Sequence, residues 1–174
     1  MNILTALLDR VLLVASIGVA GATPSFIQQY RQQVSGRLDQ ATADLQPFAQ
    51  IAQQRHDGDL NALIGHHLQS NDATFVREGQ AISDMMQTVQ NLSGANQALD
   101  GSLWSQAAYL IRHGDPNVAN ATWGLFEPAF ALSGQGLVFA LTVGVALWFF
   151  VVACAKVGGA VWRALTGSTR SVAR

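Results

Sequence analysis

Apolar and polar positions divide the chain into two oily ends and a polar, helically patterned middle. From Gly136 to Ala155, GLVFALTVGVALWFFVVACA, twenty residues carry no charge, and the uncharged run reaches back to Pro128. At ~1.5 Å per residue that length reaches the ~30 Å of a bilayer's hydrocarbon core, so a transmembrane helix is predicted. A second apolar segment, residues 3 to 22, contains Asp9 and Arg10 near one end. There an adjacent opposite-charge pair partly compensates itself, and the longer side chain reaches toward the headgroups. Two readings of this segment stand. One is an uncleaved anchor ended by Pro24; the other is a signal peptide, cut after the small-x-small run Ala20-Gly21-Ala22.

Between the ends, Val34, Leu38, Ala41, Leu45, Phe48 and Ala52 recur at alternating spacings of four and three and lay an apolar seam along a helix over 25 to 55. Glutamines fill its other faces. Pro47 predicts a kink or restart near Gln46. Arg55 to Asp59 reads as a loop, with Asp57 or Asp59 capping a short helix to Ser70 whose apolar side is Leu60, Leu63, Ile64 and Leu68. Asn71-Asp72 caps a longer helix to about 102. Its seam, Phe75, Ile82, Val89 and Leu103, is interleaved by Met85, Leu92 and Leu99, with Asn96 as a polar member. Two stripes of equal length on consecutive helices are best hidden against each other. Trp104 to His113 makes another amphipathic helix, with Leu103, Ala107, Leu110 and Ile111 inward; Asp115-Pro116 starts a last short one running to Phe126.

The pattern thus predicts an all-α membrane protein: two transmembrane helices flanking an antiparallel, coiled-coil-like helical hairpin. Its parts are an anchor over 1–23, a hairpin domain over 24–128, a second span over 129–157 and a basic tail over 158–174. Lys156, Arg163, Arg170 and Arg174 follow the second span, and no acidic residue lies beyond Glu127. Basic flanks mark the cytoplasmic end, so both termini are expected in the cytoplasm and the hairpin across the membrane. Trp104 and Trp123 are candidates for the membrane surface.

Composition sharpens this picture. Charged residues are 12% of the chain, against about 25% in ordinary soluble domains. Between Pro24 and Pro128 five arginines face ten acidic residues, a net of −5. That balance argues against nucleic acid, whose binding is driven by counterion release from phosphates. Cys154, the single cysteine, lies within the second span and offers no intrachain disulfide.

Candidate chemistry is sparse. His56, His66 and His67, with His113 more distant in sequence, are the only imidazoles. Neighbours on a helix point about 100° apart, so His66 and His67 cannot both face one metal, and solvated histidines at the hairpin tip are the simpler reading. Asp57 and Asp59 read as loop and cap residues rather than an oxygen site. In the membrane, Asp9 and Arg10 are a charged pair where charge is costly. Gly144 and Trp148 share one face of the second span and offer a groove for the first, which brings Ser16, Gly18 and Gly21. The interaction seam of the middle region is Phe75, Ile82, Met85, Val89 and Leu92. No cofactor is expected. The expected partners are membrane lipid and a protein, either another chain or a second copy. A non-enzymatic accessory, scaffold or assembly role fits best. A transport or channel component using Asp9 and Arg10 is the second reading, and a periplasmic metal or haem binder the third.

Several of these residues also carry a likeness. Phe26-Ile27-Gln28-Gln29-Tyr30, then Gln33-Val34-Ser35-Gly36-Arg37-Leu38-Asp39, then Phe48 with Ile51-Ala52, resemble the opening pattern of the DUF2937 family. Phe126-Glu127-Pro128-Ala129 and Gly136-Leu137-Val138-Phe139-Ala140 resemble its closing pattern before the last span. The resemblance implies a proteobacterial inner-membrane protein of uncharacterised function, and it carries no catalytic or binding residue with it.

Overall fold

The computed structural model describes the backbone over residues 3–129 and 133–167, and side chains over 6–129, 133–160 and at Trp162. Arg170 and Arg174, and the side chain of Arg163, lie outside the described residues. Six helices are described and no strand: α1 (Ile3–Arg55), α2 (Leu60–Leu68), α3 (Ala73–Ala98), α4 (Leu103–His113), α5 (Pro116–Gly124) and α6 (Gly134–Gly167). The chain forms two compact units, Met1–Phe26 with Glu127–Arg174, and Ile27–Phe126.

α1 is a single helix of 53 residues that passes through both Pro24 and Pro47. The expected stop at Pro24 and the expected break near Gln46 are therefore absent. Each proline removes one backbone donor, a local loss of about 3 kcal/mol in an exposed helix. Around Pro47 the seam continues inward on either side, with Leu45 and Phe48 half-buried and Ala52 fully buried, and packing outweighs the local preference. Pro24 is itself buried, and the Thr23 hydroxyl just before it donates to the Val19 carbonyl at 3.1 Å.

α1 ends in a turn built on backbone geometry. Asp57 and Gly58 take positive φ of 52° and 84°, and the Gly58 N–H reaches back to the Ala52 carbonyl at 3.1 Å. A side chain at Gly58 would sit 2.7 Å from Gln53 Oε1 on strained backbone. Three aspartates then start helices: Asp59 accepts from Asn61 N–H, Asp72 from Thr74 N–H, and Asp115 from Asn117 N–H, all at 2.7–2.8 Å. Pro116 follows Asp115 at the first turn of α5, where its missing N–H costs nothing.

In the unit Ile27–Phe126 the core has two parts. Near the end of α3, Tyr30, Val34, Leu99 and Val118 form a buried cluster against which Leu92, Ala95, Tyr109, Leu110 and Ala119 pack. Toward α2, Ala52, Leu63, Ile64 and Ile82 are buried. α2 approaches α3 closely at Gly79, where an added Cβ would meet His67 Cβ at 2.8 Å and Leu68 N at 3.2 Å. Three residues expected inward are not. Phe75 is 49% exposed, Leu68 is exposed, and Ile111 is 86% exposed. Each lies near a helix end: Leu68 closes α2, Phe75 opens α3 before the Gly79 approach, and Leu110 takes the inward place beside Ile111 near the end of α4. α5 ends at Gly124 rather than Phe126.

In the unit Met1–Phe26 with Glu127–Arg174, α6 begins at Gly134 and continues helical past Ala155 to Gly167, through part of the expected tail. Both α1 and α6 are long and apolar enough to cross a membrane.

Candidate functional site

Two constellations bring chemistry-bearing side chains together, one in each unit. The first lies between the apolar parts of α1 and α6. On α6, Gly136, Ala140 and Gly144 are buried at four-residue spacing, and Trp148 continues that row; on α1, Ser16, Ala20 and Pro24 are buried at the same spacing. Rows of small residues let two helices approach closely where lipid offers no hydrophobic drive to pair them. The approach is closest at Gly144, where an added Cβ would stand 2.7 Å from the Ile17 Cα. Farther along the same row the Trp148 indole N–H donates to Asp9 Oδ1 at 3.0 Å. Asp9 therefore has a partner on the opposite helix, and the carboxylate and indole pin the register that the small residues permit. Of the other predicted contributors, Gly18 has nothing within 4 Å of an added Cβ; Gly134, at the start of α6, likewise has open space. Arg10 is exposed on α1, and Lys156 and Cys154 are exposed on α6. At the far end of this unit the Ser25 hydroxyl makes a long 3.5 Å hydrogen bond to the Glu127 carbonyl, tying the chain before α6 to α1.

The second constellation is in Ile27–Phe126. Buried Tyr30 accepts a 2.9 Å hydrogen bond at its hydroxyl from the Asp115 N–H, so the α4–α5 junction is fastened to α1. Burial pushes the Tyr30 phenol above its usual 10.0, and the hydrogen bond from Asp115, which favours the phenolate, opposes only part of that rise. One residue on, the Arg31 guanidinium pairs with Asp100 beside the end of α3. Both side chains are solvent-exposed, and such a pair contributes about 0–1 kcal/mol. Gln106 Nε2 donates to the carbonyls of Leu99 (2.8 Å) and Gly101 (2.9 Å), closing the α3–α4 turn. Next to this knot lies an open cleft of about 470 Å³ lined by Arg37, Gln40, Ala41, Asp44, Thr88, Asn91, Leu92 and Asp115.

The histidines form a chain of rings. His56 stands 5.7 Å from His66 by ring centroids, His66 stands 6.1 Å from His67, and His67 stands 5.7 Å from Phe75. His67 Nδ1 donates to the Leu63 carbonyl at 2.9 Å, which fixes the tautomer and leaves Nε2 facing Glu78 Oε2 at 3.8 Å. Among the described residues no group of three His, Cys, Asp or Glu is placed to hold a metal ion. Of the predicted seam, Ile82 is buried, Met85, Val89 and Leu92 are half-buried, and Phe75 lies outside it.

Sequence reading missed Tyr30, Asp100 and Gly79 as organising residues. Tyr30 falls off the four-three seam by a single position, Arg31 and Asp100 are far apart in the chain, and Gly79 has no neighbour in sequence that announces a close approach. The class these observations define is an all-helical protein with two long apolar helices joined by a polar helical unit. The chain belongs to the DUF2937 family, described as proteins of unknown function, whose model matches residues 4–164. No curated protein and no solved structure matches the chain.

Proposed function

We propose that this is a non-enzymatic, two-span membrane protein that presents a helical hairpin, α1 against α3, to a protein partner or to a second copy of itself. Both spans lie in the bacterial inner membrane, the termini are cytoplasmic, and Ile27–Phe126 is periplasmic. One observation carries the reading: α1 is unbroken over 53 residues, from the apolar run into the polar seam. The apolar run and the polar seam share one uninterrupted helix, so the hairpin begins on the same element as the anchor.

Two further facts support the membrane part. In the most apolar stretch of each candidate span only 17% of residues are buried, whereas the core helix of a soluble protein is mostly covered. Leu7, Leu8, Val11, Val14 and Val19 on α1, and Leu137, Val138, Leu141, Phe149 and Phe150 on α6, are exposed, an apolar surface that water disfavours and lipid accepts. The hairpin is supported by the cluster in which Tyr30 and Val34 pack with Leu92 and Leu99.

The test is site-specific crosslinking in intact cells from the exposed α3 positions Arg77, Gln80, Asp84 and Gln87. A discrete crosslinked species from at least one position is the expected result. Monomer alone from all four, together with a monomeric detergent-solubilised protein, removes the role.

A second reading, a small transport component, draws on Asp9, a carboxylate held by Trp148 within the apolar unit. It requires that Asp9→Asn with Arg10→Gln change a measurable flux; an unchanged flux dismisses it.

A further inference from the structure

We infer that His56 and His66 form a two-imidazole site for a divalent first-row transition metal ion of the copper, nickel or zinc kind, at the turn where α1 gives way to α2. The site lies wholly within the Ile27–Phe126 unit and is independent of the two-span reading.

The turn holds both ligands in place. The His56 N–H donates to the Ala52 carbonyl and the His56 carbonyl accepts from the Asp59 N–H, both at 2.8 Å, so the backbone that carries the first ring is bonded on either side. Asp57 and Gly58, at positive φ, reverse the chain between these bonds. Asp59 then caps α2, and buried Leu63 and Ile64 fix the rotation of that helix about its axis, which sets the direction of His66. The two rings stand 5.7 Å apart by centroids with 51° between their planes. His56 is half-buried and His66 exposed, so an ion reaches them from solvent. Among the described residues neither ring makes a hydrogen bond, and their nitrogens keep their lone pairs for a ligand.

The spacing suits a shared ion. A bound imidazole nitrogen sits ~2.0–2.1 Å from the metal and about 1.1 Å from its own ring centroid, which puts two rings on one tetrahedral ion about 5 Å apart. The His56–His66 separation is less than about 1 Å wider, a gap that small χ rotations close. The tilt lets the in-plane lone pairs meet, whereas face-to-face stacking would aim them past each other. His67 does not join, because its Nδ1 is bonded to the Leu63 carbonyl and its Nε2 faces Glu78. No third His, Cys, Asp or Glu among the described residues completes the set, so water takes the remaining positions and the ion is exchangeable. Imidazole selects copper, nickel and zinc over magnesium and calcium, and affinity peaks at Cu(II). Asp57 and Asp59 add a negative field that Arg55 partly offsets.

The experiment titrates the full, untagged chain in detergent with Cu(II), Zn(II) or Mg(II) and reads the heat of binding. One Cu(II) per chain is expected, held more tightly than Zn(II), with no heat from Mg(II). His56→Gln and His66→Gln are each expected to weaken Cu(II) binding on the order of a hundredfold, since the second bond is no longer intramolecular. His113→Gln should leave it unchanged. Electron paramagnetic resonance of the Cu(II)-loaded chain should show ligation by nitrogen that both variants alter and His113→Gln does not. Cu(II) should also raise the Tm of the unsubstituted chain and of His113→Gln but not of the two variants, whose helical circular dichroism serves as the check that they fold. Cu(II) binding that is absent from the unsubstituted chain, that survives in either variant, or that falls equally in His113→Gln overturns the inference and leaves the two rings as a surface contact.

Discussion

Tyr30 shows how one side chain joins distant parts of the sequence. Its ring fills the cluster with Val34, Leu99 and Val118, and its hydroxyl accepts the Asp115 N–H. Because burial raises its folded-state value above 10.0, the neutral phenol is the form that folding favours. The stability this contributes is complete below the unfolded value and is lost as pH rises through the folded one. Denaturation midpoints in detergent are therefore expected to fall on the alkaline side of pH 10.0, and Tyr30→Phe is expected to flatten that limb. At neutral pH the same substitution should cost about 1 kcal/mol, the value of one hydrogen bond. A limb of unchanged steepness in the variant would assign the alkaline loss to another group.

A second residue-scale prediction compares two glycines on α3. Gly79 would place a Cβ 2.8 Å from His67 Cβ, whereas Gly94 has nothing within 4 Å. Both gain the same helix propensity on change to alanine, so the difference between Gly79→Ala and Gly94→Ala reads the clash itself. It should be about 1–3 kcal/mol against Gly79→Ala, measured by chemical denaturation. Equal midpoints would mean that α2 and α3 do not meet there.

At the scale of elements, the pairing of α1 with α6 depends on a row of small residues more than on apolarity. Gly144→Leu is expected to lower the melting temperature of the solubilised protein, because Ile17 Cα lies 2.7 Å from the position of an added Cβ. Gly134→Leu, with open space around it, should leave the melting temperature nearly unchanged. α1 itself makes a sharper prediction. Spin labels at Thr42 and Gln54, twelve residues apart across Pro47, should report one narrow distance near 18 Å, the rise of a continuous helix. A broad or much shorter distribution would restore the break that the proline alone suggests.

These elements also show what the chain discloses before it folds. The caps at Asp59, Asp72 and Asp115 were legible because a cap is a local matter of one side chain and the N–H two residues on. The seam from Val34 to Ala52 was legible because its spacing repeats over five turns. Pro24 and Pro47 misled, since a proline's local cost is visible in sequence and the packing that outweighs it is not. Phe75 and Ile111 misled for a related reason: periodicity assigns a face to a residue but says nothing of how much of that face is covered. In the candidate site, the shared face of Gly144 and Trp148 could be read directly. The bond from Trp148 to Asp9 could not, because nothing in either segment fixes their relative register.

For the whole molecule, the central claim is that α1 and α6 cross one membrane and leave the residues between them together on its far side. The proposed direction is taken from Lys156 and Arg163 late in α6 and Arg170 and Arg174 beyond it, since basic flanks favour the cytoplasmic side. The measurement that tests it most directly is thiol labelling of intact cells with a membrane-impermeant maleimide, in a Cys154→Ser background. Asn71→Cys and Gln90→Cys should be labelled without lysis, and Arg170→Cys only after the inner membrane is opened. Labelling of Arg170→Cys in intact cells, or protection of Asn71→Cys and Gln90→Cys until lysis, would contradict the account.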